Sequence, residues 1–347
     1  MDQFIAPVHR ALETCKHQRT CPGLSGFQWL QMGVDLAKVD VYAGDGHYHQ
    51  TSTHELPIRG KRRAVGHFYT LNLRTHALTH LTAADHRGGS KKAEHDMHAL
   101  KRMSADQLRQ GSKKGRQVLY VWDSAGIDIQ QWRGWKQNAG IYFLSRSKDL
   151  MKFTFYGEMD FDRNDPVNRG ILADQLVSNA SSQVLFRYIK YRCPQTGNEY
   201  ELITNHMKLR PGVLAWLYKR RWDIEKTYDT FKNKMNEQKA WAKSATAKTM
   251  QAQFLCLAHN LMVLMEQTLS SDHKVCNQKE IARSRKRTQG AIATAKRQGR
   301  AFAPMYLNPL KCSQLTLKFI RWLRYHLNAN SSMQQAIDSL SRVYAVF

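Results

Sequence analysis

The part of the chain best equipped for chemistry is a predicted helix from Leu214 to Met235, which carries four polar side chains at helical spacing. Separations of three, four and seven residues bring these side chains onto one face of a helix that turns by about 100° per residue. The four are Tyr218, Arg221, Glu225 and Lys232. On such a face the cationic groups can bind phosphates and the carboxylate can bind a metal ion. The alternative is an exposed ion pair between Arg221 and Glu225, which contributes roughly a few tenths of a kcal/mol.

An apolar stripe lies beside the polar one on the same predicted helix, displaced by roughly a quarter turn. Its members are Leu217, Ile224, Tyr228, Phe231 and Met235. The stripe predicts that one continuous helix packs on a core and presents its polar side chains next to it.

Asp123 is a further candidate, because it follows the apolar stretch that begins at Gln117. That stretch is typical of a strand buried on both faces, and ligands gather at the carboxyl ends of such strands. A carboxylate at the end of a buried strand is costly unless it binds something. The alternative is that Asp123 caps the helix predicted from Ile127 to Asn138.

The pattern Tyr-x2-Arg-x3-Glu-x6-Lys, with Leu-Tyr-Lys-Arg-Arg-Trp-Asp-Ile-Glu around it, resembles the signature of the DDE transposases of bacterial insertion sequences. Within that family it is most similar to the insertion-sequence-4-like branch. The resemblance extends from about residue 39 to about residue 265. It implies a DNA transposase that cuts strands at the ends of the element and joins the freed 3′-hydroxyl to target DNA.

The resemblance also implies an α/β, ribonuclease-H-like catalytic core with a β-rich insertion between the second aspartate and the glutamate. In this family the first aspartate lies on the first strand, the second at the end of the fourth strand, and the glutamate on a later helix. The catalytic and metal-binding residues are therefore expected to be Asp45, Asp123 and Glu225. Asp45 stands in Gly44-Asp-Gly-His-Tyr and has Asp40 and Asp35 as rivals.

The same resemblance makes Tyr218, Arg221 and Lys232 contacts to DNA phosphates rather than partners in a surface ion pair. In some relatives a tryptophan of the insertion stacks on a base flipped out of the DNA. This chain has no tryptophan between Trp135 and Trp216. The aromatic residues that could replace it are Phe155, Tyr156 and Tyr188.

Clustered carboxylates repel one another unless cations neutralise them, and their oxygen ligands favour Mg²⁺ or Mn²⁺. We expect two such ions, about 4 Å apart, on either side of a scissile phosphate. The histidines His47, His49 and His54 suggest a different metal site. We interpret them as supporting the active site or facing DNA, because the cysteine and glutamate partners of a zinc site are not expected nearby.

The rest of the chain predicts elements in the order of this fold. Strands are expected from Val39, Val65 and Ala77, a helix over residues 93–110, a strand from Gly140 to Arg146, a hairpin over 184–192 and 199–204, and a helix from Ala245 to Gln267. We divide the chain into a short helical N-terminal segment (1–38), the first part of the core (39–149), the β-rich insertion (150–208), the rest of the core (209–270), and a basic segment with C-terminal helices (271–347).

The charge of the chain points to nucleic acid. Fifty-three Lys and Arg residues against 28 Asp and Glu residues give a net charge of +25, which favours double-stranded DNA, here the terminal repeats of the element and the target. The basic loop that contains Lys61, Arg62 and Arg63 is a candidate phosphate contact, although such runs are usually solvated. We expect a homodimer on DNA, with the helices after Leu315 as the contact or as a cover for the core.

Six scattered cysteines without a Cys-x2-Cys pair indicate a reducing compartment. The absence of a long apolar run predicts that the chain does not cross a membrane. The expected location is the bacterial cytoplasm, in association with the nucleoid. Two alternatives to a transposase remain open: a metal-dependent nuclease of the same fold, and a non-catalytic DNA-binding protein derived from a transposase.

Overall fold

The computed structural model describes residues 38–56, 64–84, 96–179, 183–194, 196–235, 237–271 and 278–299, together with isolated positions and short stretches nearer the two ends of the chain. Lys61, Arg62 and Arg63 lie outside the described residues. Most of the predicted N-terminal helical segment and most of the predicted dimer contact after Leu315 also lie outside them.

The described strands form one mixed sheet of nine strands in the order β3-β2-β1-β4-β5-β9-β8-β7-β6. Strand β1 is parallel to β4, β4 is parallel to β5, and β2 is antiparallel to β1. This arrangement, with helices packed on the sheet, confirms the α/β, ribonuclease-H-like core predicted from the sequence. The strands are β1 (Val39–Gln50), β2 (Ala64–Asn72), β3 (Leu78–Ala83), β4 (Gln117–Val121), β5 (Ile141–Arg146), β6 (Phe153–Glu158), β7 (Ile171–Asn179), β8 (Leu185–Arg192) and β9 (Glu199–Thr204).

The helices of the core connect these strands or follow them. They are α1 (Asp96–Lys101), α2 (Ala105–Arg109), α3 (Ile129–Ala139), α4 (Pro211–Arg220), α5 (Trp222–Lys234), α6 (Ala245–Ser271) and α7 (Gln278–Arg297). The single helix predicted over 93–110 is wrong, because Ser104 ends the continuity between α1 and α2. Its side chain accepts a hydrogen bond from Gln107 N, and the Gln107 side chain accepts one from Ser104 N, so the pair forms a capping box.

The continuous helix predicted from Leu214 to Met235 is also wrong, since α4 and α5 meet at Arg221. At this junction Arg221 N donates to Tyr218 O and Ile224 N donates to Arg221 O, both at 3.1 Å. Each of these bonds connects residue i to residue i−3 instead of i−4, as in a 3₁₀ helix, so the helix is locally tighter. The apolar stripe is nevertheless confirmed, since Leu217, Ile224 and Phe231 are fully buried.

The predicted hairpin is formed by β8 and β9, and it does not stand apart from the core. Strand β9 pairs antiparallel with β5, with Leu144 opposite Thr204, so β6 to β9 extend the central sheet. A buried ion pair between Arg187 and Asp174 lies within this extension. Arg187 Nη1 also donates to Leu209 O at 2.5 Å, which ties the insertion to the loop that begins α4.

The sheet has an apolar core on each face. Helices α4, α5 and α6 cover one face, and α3 covers the other, where Trp132 and Trp135 stack on Phe143. Helix α6 is fixed to the edge of the sheet by Asn260, which accepts from Leu78 N at 2.7 Å and donates to Leu78 O at 2.9 Å. Within the described residues no helix has the length and apolarity needed to cross a membrane.

Candidate active site

Asp123 lies just beyond the carboxyl end of β4 and is half-buried. Its Oδ1 accepts a hydrogen bond from Ala125 N at 2.8 Å and so caps the short 3₁₀ helix Ser124–Gly126. Helix α3 is capped by Asp128 instead. Asp123 therefore does act as a cap, although not of the helix that the sequence predicts, and capping occupies one of its two carboxylate oxygens.

Asp45 lies in the part of β1 that extends beyond the last residue pair with β4, which is Ala43 with Val121. Its half-buried carboxylate accepts from Gly46 N at 2.8 Å. The two aspartates therefore extend from adjacent parallel strands at the same end of the sheet.

The rival aspartate Asp40 lies at the opposite end of these strands, beside Val118. It is buried and paired with Arg116 at 2.5 Å and with Arg74 at 3.6 Å. Burial alone would raise the pKa of Asp40, but the hydrogen bonds and charges of these arginines, with Ser112, lower it. Asp40 is thus a structural ion-pair partner, and Asp35 is outside the described residues.

Glu225 lies on α5, and its Oε1 is 2.8 Å from Arg221 Nη2. The pair is not the exposed surface pair that the alternative interpretation requires, because the Arg221 side chain is 8% exposed and that of Glu225 is 30% exposed. The guanidinium also lies 5.9 Å from the ring centroid of Tyr218 and 5.5 Å from that of Trp222. Arg221 thus packs between Tyr218 on α4 and the side chains of Trp222 and Glu225 on α5.

Neighbouring carboxylates contribute to the pKa shifts of both Arg221 and Tyr218. Burial alone would lower the pKa of Arg221, but Tyr218, Glu225 and Asp45 more than offset that effect and raise it. Burial raises the pKa of the Tyr218 hydroxyl, with Asp123 adding to the rise and Arg221 opposing it. Tyr218 therefore stays protonated at neutral pH and is able to donate a hydrogen bond.

Residues 66–261, more than half of the chain, match the family model described as the transposase DDE domain. The chain belongs to this family. No curated protein matches its sequence. The matched range contains Asp123 and Glu225 and begins after Asp45. Membership confirms the resemblance at the level of DDE transposases, and it supports a transposase type of DNA cleavage and transfer with DNA as the partner.

Members of the DDE transposase family generally use divalent metal ions. The donor set of this domain fits Mg²⁺ or Mn²⁺, since its half-buried side chains offer hard carboxylate oxygens. Among the described residues no three Asp, Glu, His or Cys side chains are close enough together to hold a metal ion by themselves. Mg²⁺ in proteins is commonly bound by one or two carboxylates, with water and substrate phosphate as the remaining ligands. The carboxylates of the DDE domain would hold it in that way.

The predicted DNA contacts of the transposase domain differ in accessibility. Lys232 is exposed, Tyr218 is half-buried and Arg221 is buried. A further basic residue, Arg146, was not predicted from the sequence; it is exposed at the end of β5, and its charge lowers the pKa of Tyr218. The sequence does carry a signal for Arg146, because it is a basic residue at the end of β5, the strand that pairs with β4 beside Asp123.

The histidines of β1 are not a DNA-facing surface in this domain. His47 and His49 are buried, and Glu237 Oε2 is 3.1 Å from His47 Nε2 while Glu237 Oε1 is 3.8 Å from His49 Nε2. The expectation that no glutamate lies near these histidines is wrong, since Glu55 follows His54 in the sequence and Glu237 contacts His47 in space. Of the aromatic candidates for stacking on DNA, Phe155 and Tyr156 are exposed on the edge strand β6, and Tyr188 is half-buried.

Proposed function

We propose that the protein is a transposase of the insertion-sequence-4-like branch that cuts DNA at the ends of its element and joins the 3′-hydroxyl to target DNA. The catalytic and metal-binding residues of this proposal are Asp45, Asp123 and Glu225. The observation that carries it is that Asp45 and Asp123 extend from adjacent parallel strands at the same end of the sheet, in a chain that matches the transposase DDE domain.

The proposed roles follow from the chemistry of each side chain. Tyr218 is protonated and donates to a phosphate oxygen of the DNA end. Arg221 can bind a phosphate through its planar guanidinium, while Lys232 acts as an exposed point charge two helical turns beyond Glu225. Arg146, which is exposed at the end of β5, would supply a further phosphate contact. The basic loop of Lys61, Arg62 and Arg63 is retained as a candidate contact.

Two divalent ions, Mg²⁺ or Mn²⁺, would lower the pKa of a bound water or hydroxyl and neutralise charge on the scissile phosphate. Asp45 and Asp123 would hold them from adjacent strands, and Glu225 from the covering helix. In the structure Arg221 is the counter-ion of Glu225, and its positive charge limits the repulsion among the carboxylates.

We propose further that the active form is a homodimer assembled on two DNA ends, because two ends joined to one target require two active sites in fixed relation. A net charge of +25 on each chain opposes association of the free protein, and DNA phosphates relieve that repulsion. Such an enzyme would act in the bacterial cytoplasm, in contact with the nucleoid.

The function can be tested with DNA that carries the terminal repeats expected on either side of the gene. A labelled DNA end carrying these repeats should be cut in the presence of Mg²⁺ and joined to a supercoiled plasmid. Cleavage without joining would support a nuclease instead, and tight binding without cleavage would support a non-catalytic DNA-binding protein. Sedimentation with paired ends should give two subunits per complex, and joining by a complex with one subunit would contradict the dimer.

A further inference from the structure

Tyr228 connects the helix that carries Glu225 to the strand that carries Asp45. It lies three residues after Glu225 on α5, and its hydroxyl donates a hydrogen bond to the backbone oxygen of Asp45 at 2.8 Å. The side chain is buried beneath the helix. Glu225 and Tyr228 are less than one helical turn apart, so the position of one fixes the height of the other above the sheet.

A second set of contacts holds the same helix further along β1. The Tyr228 ring stacks on His47, with 4.7 Å between ring centroids and an interplanar angle of 27°. His47 in turn contacts Glu237, whose backbone N donates to Phe231 O at 3.0 Å just before the end of α5. The chain after Glu237 then pairs with Gln50, since Ala240 N donates to Gln50 O at 2.7 Å. Helix α5 is thus attached to β1 at two places.

The attachment at Asp45 matters because β1 no longer pairs with β4 at this residue. Its pairing with β4 ends at Ala43, so Asp45 is held by β2 on one side and by the Tyr228 hydroxyl above. We propose that Tyr228 is a positioning residue that sets the separation between the Asp45 and Glu225 carboxylates. The inference rests on the proposed function, since that separation matters for an enzyme whose carboxylates share metal ions.

The matching control is Tyr120, because it makes the same type of bond in the core on the other face of the sheet. Its hydroxyl donates to Leu108 O at 2.6 Å, and the residue is fully buried on β4. Tyr120→Phe and Tyr228→Phe each delete one buried hydroxyl and keep the ring. The two variants differ in that Tyr120 bonds to the carbonyl of a helix on the far side of the sheet, away from Asp45 and Glu225.

The experiment measures Mn²⁺ binding to the DNA-free protein by electron paramagnetic resonance, and the Mg²⁺ concentration that gives half-maximal cleavage of end DNA. Loss of a group that orients a metal ligand typically weakens metal binding by 10- to 100-fold. For Tyr228→Phe we expect a rise of roughly tenfold in both concentrations, with metal-free binding of end DNA unchanged within about twofold. Tyr120→Phe should leave both concentrations unchanged.

Glu237→Gln is a second variant of the same attachment, and it keeps an oxygen for His47. It should raise both concentrations in the same direction by a smaller factor, which keeps the inference testable if Tyr228→Phe does not fold. Equal metal dependence of the Tyr228 and Tyr120 variants, or no shift in Glu237→Gln, would overturn the positioning role alone. Metal-dependent cleavage by Asp123→Asn would overturn the proposed function, and this inference with it.

Discussion

Arg220 and Arg221 are neighbours in the chain and both are buried, yet they belong to two regions with different properties. Arg221 faces the carboxylate end of the sheet and pairs with Glu225. Arg220 faces the turn between β2 and β3, where its Nε lies 2.8 Å from Asp223 Oδ2 and its Nη2 lies 3.3 Å from His76 Nε2. We call these the carboxylate region and the turn region.

The two regions differ in what surrounds the acidic partner. In the turn region the Asp223 side chain is 7% exposed and has Arg220, Lys226 and His76 around it. Burial alone would raise the pKa of Asp223, but Arg220, His76 and Lys226 lower it. In the carboxylate region the Glu225 side chain is 30% exposed. A buried charge must keep its partner, whereas a half-exposed one can exchange it for a ligand. The comparison therefore predicts that the turn region contributes mainly to stability and that the carboxylate region carries the proposed function.

The largest expected effect comes from removing one charge in the carboxylate region. Asp123→Asn keeps an oxygen to cap Ala125 N, but it removes a carboxylate that the proposed mechanism requires. Cleavage of end DNA in Mg²⁺ should fall by at least about a thousandfold, as when one member of a catalytic group is removed. Binding of the DNA, measured by gel shift, should stay within about twofold, because phosphate contacts dominate affinity.

Asp128→Asn is the control for this variant, since Asp128 caps α3 five residues away and Asn is an equally good cap. Activity close to that of the unaltered protein is expected for it. A comparable loss of cleavage in both variants would mean that Asp123 acts by stabilising the local fold, and it would contradict a catalytic role for the carboxylate region.

The second prediction compares the two arginines directly. Arg220→Met leaves the buried Asp223 without its nearest cation, which should cost roughly 3 kcal/mol of unfolding free energy. Arg221→Met leaves the half-exposed Glu225, which water can solvate, so the cost should be about 1 kcal/mol. DNA affinity should show the opposite order, with Arg221→Met weakening end binding and lowering its salt dependence.

Chemical denaturation and salt-dependent binding check these two orders. The expected cost of about 1 kcal/mol for Arg221→Met exceeds the few tenths of a kcal/mol of a fully exposed ion pair, because the Arg221 side chain is buried. If both variants lose the same stability and the same affinity, the two regions are not functionally distinct.

The sequence predicts those features of the fold that depend on local periodicity. The apolar stripe of α5 repeats every three to four residues, the strands of the β8 and β9 hairpin follow a strand pattern, and the strand before Asp123 is a continuous apolar run. Each of these elements is present. The break between α4 and α5 at Arg221 has no such signal, because neither glycine nor proline lies there. The helix is interrupted only by a change from i→i−4 to i→i−3 hydrogen bonds. Contacts between distant residues leave no periodic trace, and His47 meets Glu237 across 190 residues.

The site was predictable in part for the same reason. Spacing along one helix groups Tyr218, Arg221 and Glu225, whereas the preference for Asp45 over Asp40 depends on which end of β1 faces the end of β4. Resemblance pointed to Asp45 without that geometry. The burial of Arg221 is invisible in the sequence, because it depends on how α4 and α5 meet.

The third prediction concerns the pH dependence of the turn region. His259 Nε2 donates to His76 O at 3.1 Å, and burial lowers the pKa of His259 from 6.5 to about 4. The unfolded chain therefore binds a proton below pH 6.5 that the folded chain binds near pH 4. Stability should fall as the pH decreases from about 6.5 to 4, by roughly 1.4 kcal/mol for each unit of pKa difference.

His259→Gln tests this assignment, since a neutral amide can still donate to His76 O and does not titrate. The variant should show a shallower loss of unfolding free energy between pH 6.5 and 4, measured by denaturant titration at each pH. Its stability relative to the unaltered protein at pH 7.5 provides the reference. Parallel pH curves for the two proteins would remove His259 from the account of the turn region.

The smallest expected effect comes from Lys232, an exposed residue on the same helix as Glu225. If Lys232 binds one phosphate, Lys232→Ala should weaken end binding uniformly across sequences and reduce the slope of affinity against salt by about one charge. Unfolding free energy should change by less than about 0.5 kcal/mol, because the residue is at the surface. Lys114→Ala is the matched control, since Lys114 is also exposed but precedes β4 at the end opposite Asp123. Equal salt slopes for the two variants would show that the charge acts through the overall field of the protein, whereas a change confined to Lys232→Ala would extend the carboxylate region two turns along α5.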